Sequence, residues 1–200
     1  TLYKEITNNS SYEKDIISKI NLISSIKDVD RLGNWSISTT ITKKNFKEVP
    51  KIQAFAEKNN FMYVIRHYIH GIGQYGRYDP IVAYEDKRYE VIEVFEKFAA
   101  DNAKKNYPAH LVYKDIARYL KGKDIGSCDA TKYSVVVKSD GSFAPCIEHT
   151  DVSIKGSINE IKSFFKSADV KKLVNSCSRK APCYYGCTRN ISVLYKNKGK

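Results

Sequence analysis

The chain has 200 residues, 42% of them apolar and 28% charged, with a formal charge of +12. This composition excludes a fully disordered chain, and 10 Gly and 5 Pro exclude collagen-like or low-complexity structure. No apolar run approaches the roughly 18–20 residues of a membrane-spanning helix, and the opening TLYKEITNNS lacks the apolar core of a signal peptide.

The expected compartment is therefore the cytoplasm, with no membrane partner. The positive excess is mostly Lys, spread along the chain at Lys43–Lys44, Lys104–Lys105, Lys121–Lys123 and Lys171–Lys172. Such a distribution reads as a solvated surface in preference to a nucleic-acid interface, which would favour Arg. The chain starts at Thr1 and its single Met is Met62, which suggests a piece of a longer protein.

Residues 1–6 can close a strand, and Ile16, Ile20, Ile23 and Ile26 predict an amphipathic helix over 12–27. WSISTTIT alternates strictly, predicting a strand over 35–42 with Ser36, Ser38, Thr40 and Thr42 on its polar face. A helix over 46–59 follows, with Phe46, Val49, Ile52 and Phe55 as its stripe and Asn59–Asn60 as its stop. FMYVIRHYIH predicts a second such strand over 61–70, with Val64, Arg66, Tyr68 and His70 sharing a face. Helices near 86–105 (Val91, Ile92, Phe95, Phe98) and 109–121 come next. The alternation predicts parallel βαβ units.

After Gly122 the pattern changes. Tyr133–Val137, the turn Ser139-Asp140-Gly141 and Ser142–Ile147 predict a β-hairpin. Two short helices, about 157–166 and 168–175, precede the segment CSRKAPCYYGC, and LYKNKGK reads as a frayed basic tail. The expected organisation is a β/α part over 1–106, a connector over 107–126 and a small cysteine-rich α+β part over 127–200.

Gly71-Ile72-Gly73-Gln74-Tyr75-Gly76 spells G-x-G-x-x-G after a strand. Dinucleotide binding needs a helix opening at the third glycine. Arg77-Tyr78-Asp79-Pro80 follows instead, so the segment reads as a loop at a strand's C-terminal end.

All five cysteines fall between residues 128 and 187. Cys128 and Cys146 are spaced C-x17-C, with Gly141 and Cys146 as G-x4-C, and Cys177, Cys183 and Cys187 run C-x5-C-x3-C. An odd number in a chain without a secretory signal disfavours disulfides. Zinc prefers paired C-x2–4-C knuckles, a spacing met only by Cys183 and Cys187, although Cys128 and Cys146 can complete a four-thiolate site. Four thiolates on a hairpin and a loop also suit a 4Fe–4S cluster, and Pro145 and Pro182 would stiffen the ligand loops.

This cysteine pattern, with the Gly-containing KGSINEIKSFF between its halves, resembles the SPASM/Twitch auxiliary-cluster domain of radical S-adenosylmethionine (radical SAM) enzymes. The family's C-x2-C-x5-C-x3-C carries Val174 where its first cysteine would stand, and no cysteine follows Cys187. The resemblance thus implies a single auxiliary 4Fe–4S cluster. Its ligands would be Cys128, Cys146 and Cys187, with either Cys177 or Cys183 as the fourth. SISTTITKKNFKEVPKIQAFAEKNN is similar to a strand, Asn, helix segment of the radical SAM barrel. The implied fold is α/β, the second half of a partial (β/α) barrel followed by a small α+β cysteine-rich domain with a β-hairpin. Ser38, Thr40, Arg66 and His70 would then point toward cofactor and substrate, with Asn45 at the barrel mouth; Ser38, Thr40, Asn45 and Arg66 are the candidate cofactor-binding set. The catalytic C-x3-C-x2-C motif is absent from this sequence. Either S-adenosylmethionine and its own 4Fe–4S cluster belong to residues preceding Thr1, or the chain is a degenerate relative. The implied partners are a peptide, protein or small-molecule substrate and a reductant such as flavodoxin or ferredoxin. The residues alone leave open a zinc-stabilised, non-enzymatic binding module and a single-cluster electron carrier.

Overall fold

The alternating stretches WSISTT and MYVIRH pair in the computed structural model, which describes residues 12–25, 35–69, 78–126, 135–146, 149–180 and 186–197. Strand β1 (Ser36–Ile41) lies parallel to β2 (Met62–His67), with Ser38 opposite Val64 and Thr40 opposite Arg66. The connection runs through a short 3-10 turn (Phe46–Glu48) into helix α2 (Val49–Lys58), which packs on β2. This is a βαβ unit, in which a parallel pair requires a crossover element. Period-2 patterning decides which face is covered: Tyr63, Ile65 and His67 are buried, whereas Met62 and Arg66 are exposed. Phe46, Val49 and Ala56 complete that core from the turn and α2. Ile52 and Phe55 are half-buried.

Helix α1 (Tyr12–Ser24) precedes this unit. Ile16, Ile20 and Ile23 are half-buried along it, and Ile26 lies outside the described residues. Residues 1–6 and His70, with the glycine loop, also lie outside them. The described residues thus contain a single parallel βαβ unit and no further strand of a barrel wall.

Helix α3 (Arg88–Lys104) buries the whole predicted stripe: Val91 and Phe95 are fully covered, with Ile92 and Phe98 nearly so. Helix α4 (Ala109–Leu120) buries Val112, Tyr113, Ile116, Ala117 and Leu120 on one side. The Tyr113 ring meets Phe98 edge-on at 4.8 Å between centroids. Three helices stop by the same device. Beyond α2, Asn60 takes φ 58, its N–H bonds to Glu57 O and that of Phe61 to Ala56 O. Asn106 and Gly122 repeat this left-handed cap after α3 and α4.

The second half of the chain holds the predicted hairpin in a shorter form. β3 (Val136–Val137) pairs antiparallel with β4 (Phe143–Ala144), and Phe143 also bridges Ile154. Pro145 lacks an N–H and ends β4. Gly141 adopts φ 78, its N–H bonds to Lys138 O at 2.9 Å, and Lys138 N–H bonds to Ser142 O at 2.8 Å. This is a three-residue loop whose left-handed position calls for glycine. A Cβ at Gly141 would meet nothing within 4 Å, so the backbone alone sets the cost of filling it. Gly141→Ala is expected to lose about 1–2 kcal/mol of stability, and Gly141→Asn less, as read by urea unfolding.

Helix α5 (Ile158–Phe165) opens on a capping box formed by Ser157 and Glu160. α6 (Ala168–Lys180) and α7 (Gly186–Lys196) follow. These two helices correct the sequence reading. α6 runs past 175 through Cys177, and α7 takes in the residues read as the start of a frayed tail. Arg189 and Val193, four apart, are both buried on α7, which packs against α4. That spacing is helical, but cysteines and lysines around it mask the stripe.

Two compact units divide the chain: Thr1–Tyr68 with Asp79–Val91, and Ile69–Tyr78 with Ile92–Lys200. The division falls within α3, and α4, read as a connector, belongs to the second unit.

Candidate functional site

In the first unit, the side chains of Ser38, Thr40 and Arg66 share the exposed face of the β1–β2 pair. Arg66 Nε donates to Ser38 Oγ at 3.1 Å, which ties the two strands across that face. The face thus carries two hydroxyls and a cation beside exposed Met62 and half-buried Val64.

Asn45 closes the end of β1. Trp35 O accepts from Met62 N–H at 2.9 Å, so alternate backbone groups of β1, including Thr40 O and Thr42 N–H, face away from β2. The Asn45 carboxamide reaches both: Nδ2 donates to Thr40 O at 2.9 Å, and Oδ1 accepts from Thr42 N–H at 2.8 Å. It occupies the place of a neighbouring strand's peptide group and holds the loop after β1.

His67 is the group in this unit that sequence reading missed. It follows Arg66 but points to the covered side, only 6% exposed. Burial pushes its pKa down to about 4, so the imidazole is neutral at physiological pH. The signal was available in the alternation of β2, which puts residue 67 with Tyr63 and Ile65.

In the second unit, the hairpin carries Cys146. Ala144 and Pro145 are fully buried, and Cys146 is half-buried immediately after them. The anchored Ala-Pro pair fixes where that thiol leaves the hairpin. Asp140 organises the turn before it, accepting from Ser142 N–H at 2.9 Å and Ser142 Oγ–H at 2.7 Å. Those hydrogen bonds, with Lys155 and Lys138 nearby, hold the Asp140 carboxyl down at about 2.

Cys177 belongs to α6 and Cys187 to the first turn of α7, while Cys128 and Cys183 lie outside the described residues. Cys146 is the one cysteine whose side chain is described. Among the described residues, no three His, Cys, Asp or Glu side chains come together as a metal site.

Arg189, two residues after Cys187, makes a buried strap. Its side chain is 4% exposed, and that of its partner Asp115 on α4 is 13% exposed. Nε bonds Asp115 Oδ2 at 2.9 Å and Nη2 reaches Oδ1 at 3.5 Å. Nη1 donates to Gly126 O at 3.1 Å, and Nη2 donates to Ile125 O. The fork geometry of a guanidinium suits this four-fold demand. The strap joins α7, which bears Cys187, to the segment that leads two residues later to Cys128.

The next residue, Asn190, has its side-chain Oδ1 buried without a hydrogen-bond partner. A buried carbonyl oxygen of this kind is normally satisfied. Thiolates are ligands of both zinc and iron–sulfur centres, so the residue types suit either group.

No protein-family model, curated protein or solved structure matches the chain. No helix among the described residues is long and apolar enough to cross a membrane.

Proposed function

We propose that this chain is the C-terminal portion of a radical SAM enzyme and binds one auxiliary 4Fe–4S cluster through its cysteines. The observation that carries the reading is the hairpin: Gly141 in its left-handed turn and Cys146 leaving the buried Ala144–Pro145 anchor keep the G-x4-C element in a rigid setting. Cys128, Cys146 and Cys187 are the proposed ligands, with Cys177 or Cys183 as the fourth.

When bound, the cluster supplies one-electron transfer. The chain's own part is to hold the thiols as thiolates, to limit their motion and to keep water from them. Buried Pro145 restrains the Cys146 backbone. The Arg189–Asp115 pair restrains the start of α7. In the first unit, Arg66, with Ser38 and Thr40 on the same strand face, offers a cation and hydroxyls to an anionic or hydroxyl-bearing ligand. Asn45 keeps the end of β1 in place. The parallel β1–β2 pair supports the barrel reading, in which these residues face S-adenosylmethionine and a peptide, protein or small-molecule substrate. A flavodoxin or ferredoxin would supply the electrons.

Anaerobic purification and reconstitution test the proposal. A brown protein with about four iron and four sulfide per chain is expected, and Cys146→Ser should remove most of that iron. A colourless chain with about one tightly held zinc would favour the zinc-stabilised binding module instead. A C-x3-C-x2-C motif upstream of Thr1 in the coding sequence is also expected; a stop codon there would leave a single-cluster carrier.

A further inference from the structure

In a parallel pair, alternate residues of each strand aim their backbone groups at the partner, and the others aim them outward. Met62 N–H bonds to Trp35 O, and Ser36 stands opposite Met62. Ser36, Ser38 and Thr40 therefore turn their N–H and C=O groups to the outer edge of β1. The Asn45 carboxamide takes Thr40 O. Among the described residues, nothing pairs with the rest of that edge: the N–H and C=O of Ser36 and Ser38, and the N–H of Thr40.

Edge strands are normally protected by Lys, Pro, a bulge or a covering element. β1 reads SISTTI and keeps an unbroken register over Ser36–Ile41, with no Lys, Pro or bulge, and Asn45 closes only its end. A strand buried on both faces reads as a near-continuous apolar run. β1 instead puts only the hydroxyls of Ser36, Ser38 and Thr40 on its open face, which suits an edge partner that leaves that face in water. Arg66 reaches from β2 across to Ser38 on β1, where its Nε donates at 3.1 Å. The Nη ends of its guanidinium have no partner among the described residues. A strand added beside β1 would lie about 4.8 Å away, so a carboxylate side chain on it can meet that fork.

We propose that the outer edge of β1 accepts an extended peptide segment by strand addition, with an acidic side chain of that segment paired to Arg66. Main-chain hydrogen bonds to Ser36, Ser38 and Thr40 supply affinity, and Arg66 supplies the preference for an acidic sequence. The formal charge of +12 draws such segments toward the chain. Asn45 fixes where pairing stops, so the segment runs opposite positions 36–40 and no further. Within the proposed function this names the substrate as an acidic peptide. It rests on that reading only for the segment's being a substrate, since docking itself needs no cysteine and no metal.

The experiment titrates the chain with a capped peptide of about six residues, alternating valine and threonine around one central glutamate. Calorimetry and the emission of Trp35, next to Ser36, read the binding. Matched peptides replace the glutamate by glutamine, or carry methyl groups on the backbone nitrogens that would face β1. Wild type is expected to bind the glutamate peptide several-fold to about tenfold more tightly than the glutamine peptide, and not to bind the methylated one. Arg66→Gln should abolish the preference while both unmethylated peptides still bind weakly. Ser36→Pro removes an outward N–H and leaves the β1–β2 ladder whole, because that N–H does not face β2. It should lose binding of every peptide while its urea midpoint stays near that of wild type.

Equal affinity for the glutamate and glutamine peptides, undiminished binding of the methylated peptide, or no binding at about 1 mM peptide would each overturn the inference. A concentration-dependent dimer that Ser36→Pro abolishes would assign the edge to a second copy of the chain. Binding by this chain but not by one extended upstream of Thr1 would assign the edge to a strand of that extension. Either result displaces the peptide. The cluster reading stands or falls separately. A wild type that takes up no iron and still binds the peptide loses the cluster and keeps the docking edge, and the converse loses the edge alone.

Discussion

Arg189→Ala is expected to destabilise the second unit by about 3–5 kcal/mol, the range for breaking one side of a buried ion pair. The substitution leaves the Asp115 carboxylate with 13% of its side chain exposed and no guanidinium. It also strips a donor from the carbonyls of Ile125 and Gly126. Asp115→Ala should be comparably damaging, because the guanidinium is then the uncompensated charge. The double variant Arg189→Met with Asp115→Leu separates charge from packing. Apolar groups of similar volume carry no desolvation cost, so the double variant should recover most of the loss. Urea unfolding followed by circular dichroism reads all of these. A loss under about 1 kcal/mol in Arg189→Ala, the scale of a surface pair, would mean the strap is solvated and does not anchor α7. For the proposed function the consequence is local. With the strap gone, the segment that leads to Cys128 loses its hydrogen bonds to α7, and metal uptake should weaken even in the double variant.

What was legible in the sequence follows from how local the determining interaction is. The strict alternation of WSISTTIT specifies β1 and its exposed Ser38 and Thr40, because period 2 is decided by residues two apart. The α3 stripe of Val91, Ile92, Phe95 and Phe98 was legible for the same reason at period 3.6. The Asp140-Gly141 turn is likewise written in a few adjacent residues. Arg189 was not legible, since its partner lies 74 positions away and a lone Arg among lysines looks solvated. α7 was missed because its stripe is short and begins in a Cys-Tyr-Gly stretch that reads as a loop. From the sequence, Asn45 reads as a mouth residue. The structure gives it two backbone partners at the end of β1, a task that a strand, Asn, helix pattern does not spell out. His67 is hidden in the sequence between Arg66 and His70, although its parity places it in the core.

That buried imidazole should make the first unit lose stability on mild acidification. Its folded-state pKa is lowered to about 4, against 6.5 for the unfolded residue, and burial of the charged form is the cause. Between those values the unfolded chain binds a proton that the folded chain refuses. The stabilisation is therefore fully present above pH 6.5 and is lost as the pH falls toward 4, by at most about 3 kcal/mol. The carboxyl groups of Asp140 and Glu160 are shifted down by hydrogen bonds from Ser142 and Ser157. Their contributions are lost mainly below the ordinary carboxylate values, a more acidic window than that of His67. The chain has one tryptophan, Trp35, immediately before β1 in the unit that holds His67. Its fluorescence, followed through urea unfolding at pH 7.5, 6, 5 and 4.5, is the direct probe. The unfolding free energy should decline across the series in wild type and stay much flatter in His67→Leu, which buries a similar volume with no proton to bind. Parallel decline in both proteins would show that His67 titrates in the folded state, and that the imidazole is reached by water despite its place beside Tyr63 and Ile65.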